Sequence, residues 1–221
     1  MKIVRIPAAR LVILALPLCV SCRTARLAEK PPIVQPGAPG ESSRLVAAAE
    51  AADLSRVGFT AADVRFMQGM IGHHAQAVEM VALIPARTSR EEMLLLGRRI
   101  DVSQADEIKM MQRWLEIRGQ EILSEHAHHM HGAALMPGML TPEEMARLAA
   151  AKGAEFDRLF LEGMIKHHAG ALTMVEQLFA MPGAGQEVEI FSFASDVDAD
   201  QRMEIERMGA MLNSVLKERQ R

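Results

Sequence analysis

The chain has 221 residues, with 25 Lys plus Arg against 28 Asp plus Glu, 17 Met, 8 His, 2 Cys, 1 Trp and no Tyr. That length suits one domain or two small halves. The first 21 residues carry only Lys2, Arg5 and Arg10 as charges, so the overall −3 leaves the rest of the chain at −6. An acidic chain nearly without aromatic surface repels phosphate backbones and cannot stack bases, which excludes nucleic acid as a partner. The absence of Tyr also removes tyrosyl-radical and tyrosine-base chemistry.

The chain opens as an export signal. Basic residues precede an apolar run over residues 11–20, too short to span a bilayer, and small Ser21 then precedes Cys22. Leu18-Cys19-Val20-Ser21-Cys22 resembles a bacterial lipobox, although Cys19 stands where that pattern prefers Leu. Residues 1–21 are therefore expected to be a signal peptide and Cys22 a lipidated anchor. Both cysteines lie in this leader, so the body can form neither a disulfide nor a thiolate metal site. Residues 22–43, rich in Pro and Gly without hydrophobic period, read as a flexible tether with no secondary structure. A short helix is expected over residues 43–56, packed across one end of a helical body that occupies residues 44–221.

The body contains an internal repeat. DVRFMQGMIGHHAQAVEMV from Asp63 aligns without gaps on DRLFLEGMIKHHAGALTMV from Asp157, 94 residues later. A second block follows each: Asp101, Gln104, Glu107, Ile108, Met111 and Leu115 return as Asp198, Gln201, Glu204, Ile205, Met208 and Leu212, 97 residues later. All four blocks are rich in helix formers, with apolar residues recurring at three and four. Starts are marked by Thr60, by Thr88-Ser89 and by Thr141-Pro142, and stops by Pro85, Gly119 and Pro182-Gly183. Each repeat, about 60–117 and about 154–216, is thus expected to be an antiparallel helix pair. Two pairs make an all-α four-helix bundle with approximate two-fold symmetry.

At about 100° per residue, Asp63, Phe66, Met67, Met70, His73, His74, Ala77, Met80 and Val81 fall within roughly 140° of helix circumference. This core-facing stripe puts an Asp and two His among methionines, and Asp157, Met164, His167, His168 and Met174 repeat the pattern. Buried polar groups need partners, at about 1–3 kcal/mol each if left without them. Satisfied Asp–His pairs in an ordinary core would meet that need, with Met as core filler. Metal ligation would meet it too, because imidazole nitrogen and thioether sulfur lie one helical turn apart at these spacings. Without thiolate, Met sulfur combined with His favours copper, Cu(I) above all, over zinc, calcium or magnesium. Between the repeats, residues 120–141 hold His126, His128, His129, Met130 and His131, then Met136 and Met139 around Pro137-Gly138. Such a tract is a compositional metal signal or a solvated polar loop. The paired Glu-x-x-His of a di-iron bundle is missing from both repeats.

FMQGMIGHH from Phe66, MPGMLTPEEM from Met136 and FDRLFLEGMIKHHAGALTMV from Phe156, with the blocks running from Gln104 to Leu115 and from Gln201 to Leu212, resemble the domain-of-unknown-function 305 family of bacterial exported proteins. The resemblance covers about residues 60–216. It implies a ferritin-like helical bundle, and some members are periplasmic copper-binding proteins linked to copper resistance. By matching position, Met70, His73, His74, Met80, Met164, His167, His168 and Met174 become candidate ligands.

The expected function is a non-enzymatic, lipid-anchored copper protein of the cell envelope that sequesters the ion or hands it to a partner protein. Met70, His73 and His74 would form one site, and Met164, His167 and His168 another. The loop carrying His126, His128, His129 and His131 would be auxiliary, and Asp63 and Asp157 would orient the imidazoles. A metal-dependent redox enzyme or hydrolase would need an open coordination position and a substrate pocket, and the sequence carries no nucleophile motif or Gly-rich phosphate loop. A metal-free interaction bundle is the remaining alternative.

Overall fold

The computed structural model describes residues 33–35, 42–51, 58–123 and 135–220. The leader with Cys22, most of the tether, and the tract with His126, His128, His129 and His131 lie outside the described residues. Two units are distinguished, residues 1–52 and 53–221.

The first unit departs from its expected form. Strands β1 (Ile33–Gln35) and β2 (Arg44–Val46) pair antiparallel, with Ile33 opposite Val46 and Val34 opposite Leu45. Two short apolar, partly β-branched stretches suit a pleated ladder better than coil or helix. The tether therefore contributes a strand. The helix expected over 43–56 is reduced, within the described residues, to α1 (Ala48–Ala51).

The second unit is built on α2 (Ala61–Ala82), α4 (Glu91–Ile117), α6 (Gly153–Ala180) and α7 (Val188–Arg219). These are the four expected blocks, and α2 packs on α4, α6 on α7, and α2 on α6. Helix α2 starts in a capping box, Thr60 accepting from the amide of Asp63 while Asp63 accepts from that of Thr60. One-turn α3 (Ile84–Arg87) takes up Pro85 in its first turn, and α4 begins after Arg90, two residues beyond Thr88. Thr141 and Glu144 form a second capping box that starts α5 (Pro142–Ala150), a separate helix rather than the beginning of α6. Gly183 and Gly185 turn the chain between α6 and α7 with φ of 77° and 67°, the left-handed region open to glycine.

The apolar core divides into two clusters. One gathers Phe66, Met67, Met70, Met111, Trp114, Met174 and Phe193, and the other Met80, Met93, Leu140, Phe156, Phe160, Met164 and Met208. On every long helix the break between them falls at polar residues. His73 and His74 interrupt α2, Gln104 and Glu107 α4, His167 and His168 α6, and Gln201 and Glu204 α7. Among the described residues no helix is long and apolar enough to cross a membrane.

Candidate metal centre

The two His-His pairs meet where α2 crosses α6, at the middle of the bundle. All four rings are at most 1% exposed. The His73 and His167 rings lie face to face, centroids 3.8 Å apart and planes tilted by 37°. His74 flanks His73 at 6.4 Å and His168 flanks His167 at 6.2 Å, giving a row in the order His74, His73, His167, His168.

Every Nε2 in the row faces an oxygen. His74 Nε2 lies 2.6 Å from Glu107 Oε2, and His168 Nε2 lies 2.7 Å from Glu204 Oε2. The inner rings use carbonyls instead, His73 that of Pro137 at 3.0 Å and His167 that of His73 at 2.9 Å. An oxygen acceptor at each Nε2 places the hydrogen there, so in the neutral ring Nδ1 carries the lone pair. The Nδ1 atoms of His74, His167 and His168 are buried and have no hydrogen-bond partner among the described residues. An imidazole that donates one N–H to a carboxylate or carbonyl while its other nitrogen stays open is oriented as metal-ligating histidines are.

The orienting carboxylates are not those expected. Asp63 accepts from Thr60 N, Thr60 Oγ and Gly185 N, and Asp157 pairs with Arg90 Nε at 3.0 Å. Each Asp thus ties the start of an inner helix to the connection of the other hairpin. At ten residues before the first His, almost three turns, neither belongs to the imidazole row. Glu107 and Glu204 hold that place, and the repeat already contained them as an identity 97 residues apart. Glu204 also accepts from Arg99 Nε and Nη2, and Glu107 from Ser103 Oγ.

The methionines are regrouped as well. Met70 shares its core cluster with Met174, and Met164 shares the other with Met80, so each cluster takes thioethers from both repeats. Met70, Met80 and Met164 have no exposed surface.

The residues 136–140 break the two-fold symmetry. Gln76 brackets Leu140, its amide donating to Leu140 O and its carbonyl accepting from Leu140 N, at 2.9 and 2.8 Å. Its repeat counterpart is Gly170, where a Cβ would stand 1.9 Å from Pro137 O. A bare helix surface at Gly170 therefore lets the Pro137-Gly138 backbone reach the imidazole row. Alignment by identity passes over this difference, since it marks what the repeats share.

Burial, reinforced by His73, His168 and His74, holds His167 well below the ordinary imidazole range, so this ring is neutral at pH 7. Burial pushes the Glu204 carboxyl up, but the His168 hydrogen bond and the charges of His168 and Arg99 leave it below its usual value. Asp200 is raised by burial and by Glu107, Glu204 and Asp196, against the pull of Arg99. Among the described residues no group of three or more His, Cys, Asp or Glu side chains surrounds a common metal position.

The family model described as "Domain of unknown function (DUF305)" matches residues 63–212. No curated protein matches the chain. Among solved structures, a DUF305 protein from Streptomyces coelicolor, whose name proposes that it is secreted, is 31% identical, with a TM-score of 0.59 over 70% of this chain and 92% of that one. A DUF305 fragment from Deinococcus radiodurans is 31% identical, with a TM-score of 0.59 over 71% and 98%. CopM in its Cu(II)-bound form is 26% identical, with a TM-score of 0.56 over 69% and 96%, and its Cu(I)-bound form 25%, with 0.53 over 71% and 98%. With the repeated helical hairpins and the family match across both of them, the chain belongs to the DUF305 family.

Proposed function

We propose that this protein binds copper outside the cytoplasm and stores it or passes it on without chemical turnover. The observation that carries the reading is the buried imidazole row, in which each ring is oriented by an oxygen at Nε2 and His74, His167 and His168 keep an open Nδ1. The likeness to CopM, solved with Cu(II) and with Cu(I), supports copper as the ion. Buried Met70, Met80 and Met164 lie in the core clusters on either side of the row, and thioether sulfur combined with imidazole nitrogen favours Cu(I). The tract with His126, His128, His129 and His131 would be an accessory site, and lipidation at Cys22 would hold the protein at a membrane where a copper-accepting partner could reach it.

Anaerobic competition for Cu(I) against a chromogenic chelator tests this. The full chain is expected to withdraw copper, a His167→Ala/His168→Ala variant to lose that capacity, and a variant lacking residues 126–131 to keep most of it. Loss with the tract alone would leave the bundle as a scaffold.

The short His74–Glu107 and His168–Glu204 contacts favour a second reading, in which the row is an internal polar strut of a metal-free interaction bundle. In that case folding stability would ignore both copper and chelators, since only a ligand of the native state shifts it.

A further inference from the structure

Beside the imidazole row, a groove of about 560 Å³ opens along α2 and α6. Its lining includes Phe66 and Gly69 from α2, Met174 from α6, Met181 at the end of α6, and Met136-Pro137. We infer that Met136, Met174 and Met181 form a surface site for a soft monovalent cation, Cu(I) or its analogue Ag(I), separate from the histidines. The inference rests on the copper reading and gives it a point of access.

The Met136 and Met174 side chains converge because Gly69 makes room for them. A Cβ built on Gly69 would stand 3.3 Å from Met136 Sδ and 3.5 Å from Met174 Cε, so both side chains end over the same patch of bare backbone. Met181, the extended C-cap residue of α6, lines the same groove. Exposure rises from Met174 at 8% through half-buried Met136 to Met181 at 46%, so the donors run from the core to solvent. The repeat supplies an internal control. At Gly163 the equivalent space holds Leu140 Cδ2 at 3.1 Å and Met80 Cε at 3.4 Å, one thioether where the groove has two, and Met80 is wholly buried.

The rest of the lining decides which ion fits. Among the described residues it contains no Asp, Glu or His, and it includes Arg65. A hard divalent ion would find no anionic oxygen there and an unfavourable charge at the rim. A soft monovalent ion needs only polarisable sulfur and loses little to one nearby guanidinium. Pro137, next to Met136, accepts the hydrogen bond from His73, so the groove adjoins the row.

Methyl NMR on the full chain labelled with 13C at methionine Cε, titrated with Ag(I) and separately with Zn(II), tests the site. One equivalent of Ag(I) is expected to shift the methyls of Met136, Met174 and Met181, and Zn(II) to leave them in place. Met136→Leu and Met181→Leu conserve volume and should fold normally, while weakening Ag(I) binding about tenfold or more. If the three methyls stay fixed, or both variants bind Ag(I) as the parent does, the site is refuted. Chelator competition for Cu(I) on the same samples separates the two ideas. Copper withdrawn with the three methyls unmoved overturns the groove alone, and no copper withdrawn overturns the copper reading with it.

Discussion

Gly170→Ala should destabilise the protein, although Ala is the better helix former and an exposed Gly-to-Ala change in a helix gains up to about 1 kcal/mol. The added methyl would stand 1.9 Å from Pro137 O and 2.4 Å from Pro137 C, backbone atoms that no side-chain rotation can move aside. The Pro137-Gly138 backbone must then lift off α6. Lifting it breaks both Gln76–Leu140 hydrogen bonds and the one from His73 to Pro137, each worth about 1 kcal/mol. Against a gain of about 1 kcal/mol from helix propensity, the net loss is about 2 kcal/mol. Gly209 in α7 is the matched control, for a Cβ there meets nothing within 4 Å, and Gly209→Ala should stabilise by about 0.5–1 kcal/mol. Urea unfolding followed by circular dichroism at 222 nm measures both variants. Equal stabilisation by the two substitutions would refute the docking of residues 136–140 on α6.

Replacing Glu204 by Leu leaves the His168 N–H buried without an acceptor and should cost about 2–3 kcal/mol in urea unfolding, whereas Glu107→Leu should cost less, because the Glu107 side chain is 18% exposed and water can reach its place. The depressed His167 value means that the unfolded chain takes up a proton near pH 6.5 and the folded one only well below. The stability that His167 contributes is therefore complete above pH 6.5 and declines as pH falls through the acid range. Urea midpoints of metal-free protein at pH 7.5 and 5.5 should show the decline, and His167→Gln should flatten it. Asp63→Ala removes the acceptor of two amides and a hydroxyl, and should lower stability by about 2 kcal/mol in the same assay while leaving copper competition unchanged.

Much of this architecture was legible in the sequence because it is written twice. Phe66 and Phe160, Met70 and Met164, and the two His-His pairs share a helical stripe in each repeat, and the structure buries both stripes against each other. Amphipathic period fixes which face points inward, but not which partner a polar side chain takes from another helix. Asp63 and Asp157 therefore looked like natural acceptors for the imidazoles, while Glu107 and Glu204 reach them across an interhelical contact that no local spacing encodes. Cross-repeat grouping of Met70 with Met174 and of Met80 with Met164 escaped for the same reason: α2 and α6 cross antiparallel, so unlike halves of the repeats meet. Gln76 and Gly170 differ in the alignment, and that difference is what seats the connecting segment on the row. In the first unit, Ile33-Val34 and Leu45-Val46 pair as strands that a Pro- and Gly-rich composition concealed.

Copper K-edge X-ray absorption on the full chain, loaded anaerobically with Cu(I) and desalted, tests the central claim most directly. The account predicts that copper is retained, with imidazole nitrogen and thioether sulfur in its coordination shell, and that the nitrogen contribution falls in the His167→Ala/His168→Ala variant. Copper that is lost on desalting, or that is retained with oxygen ligands alone, would contradict it.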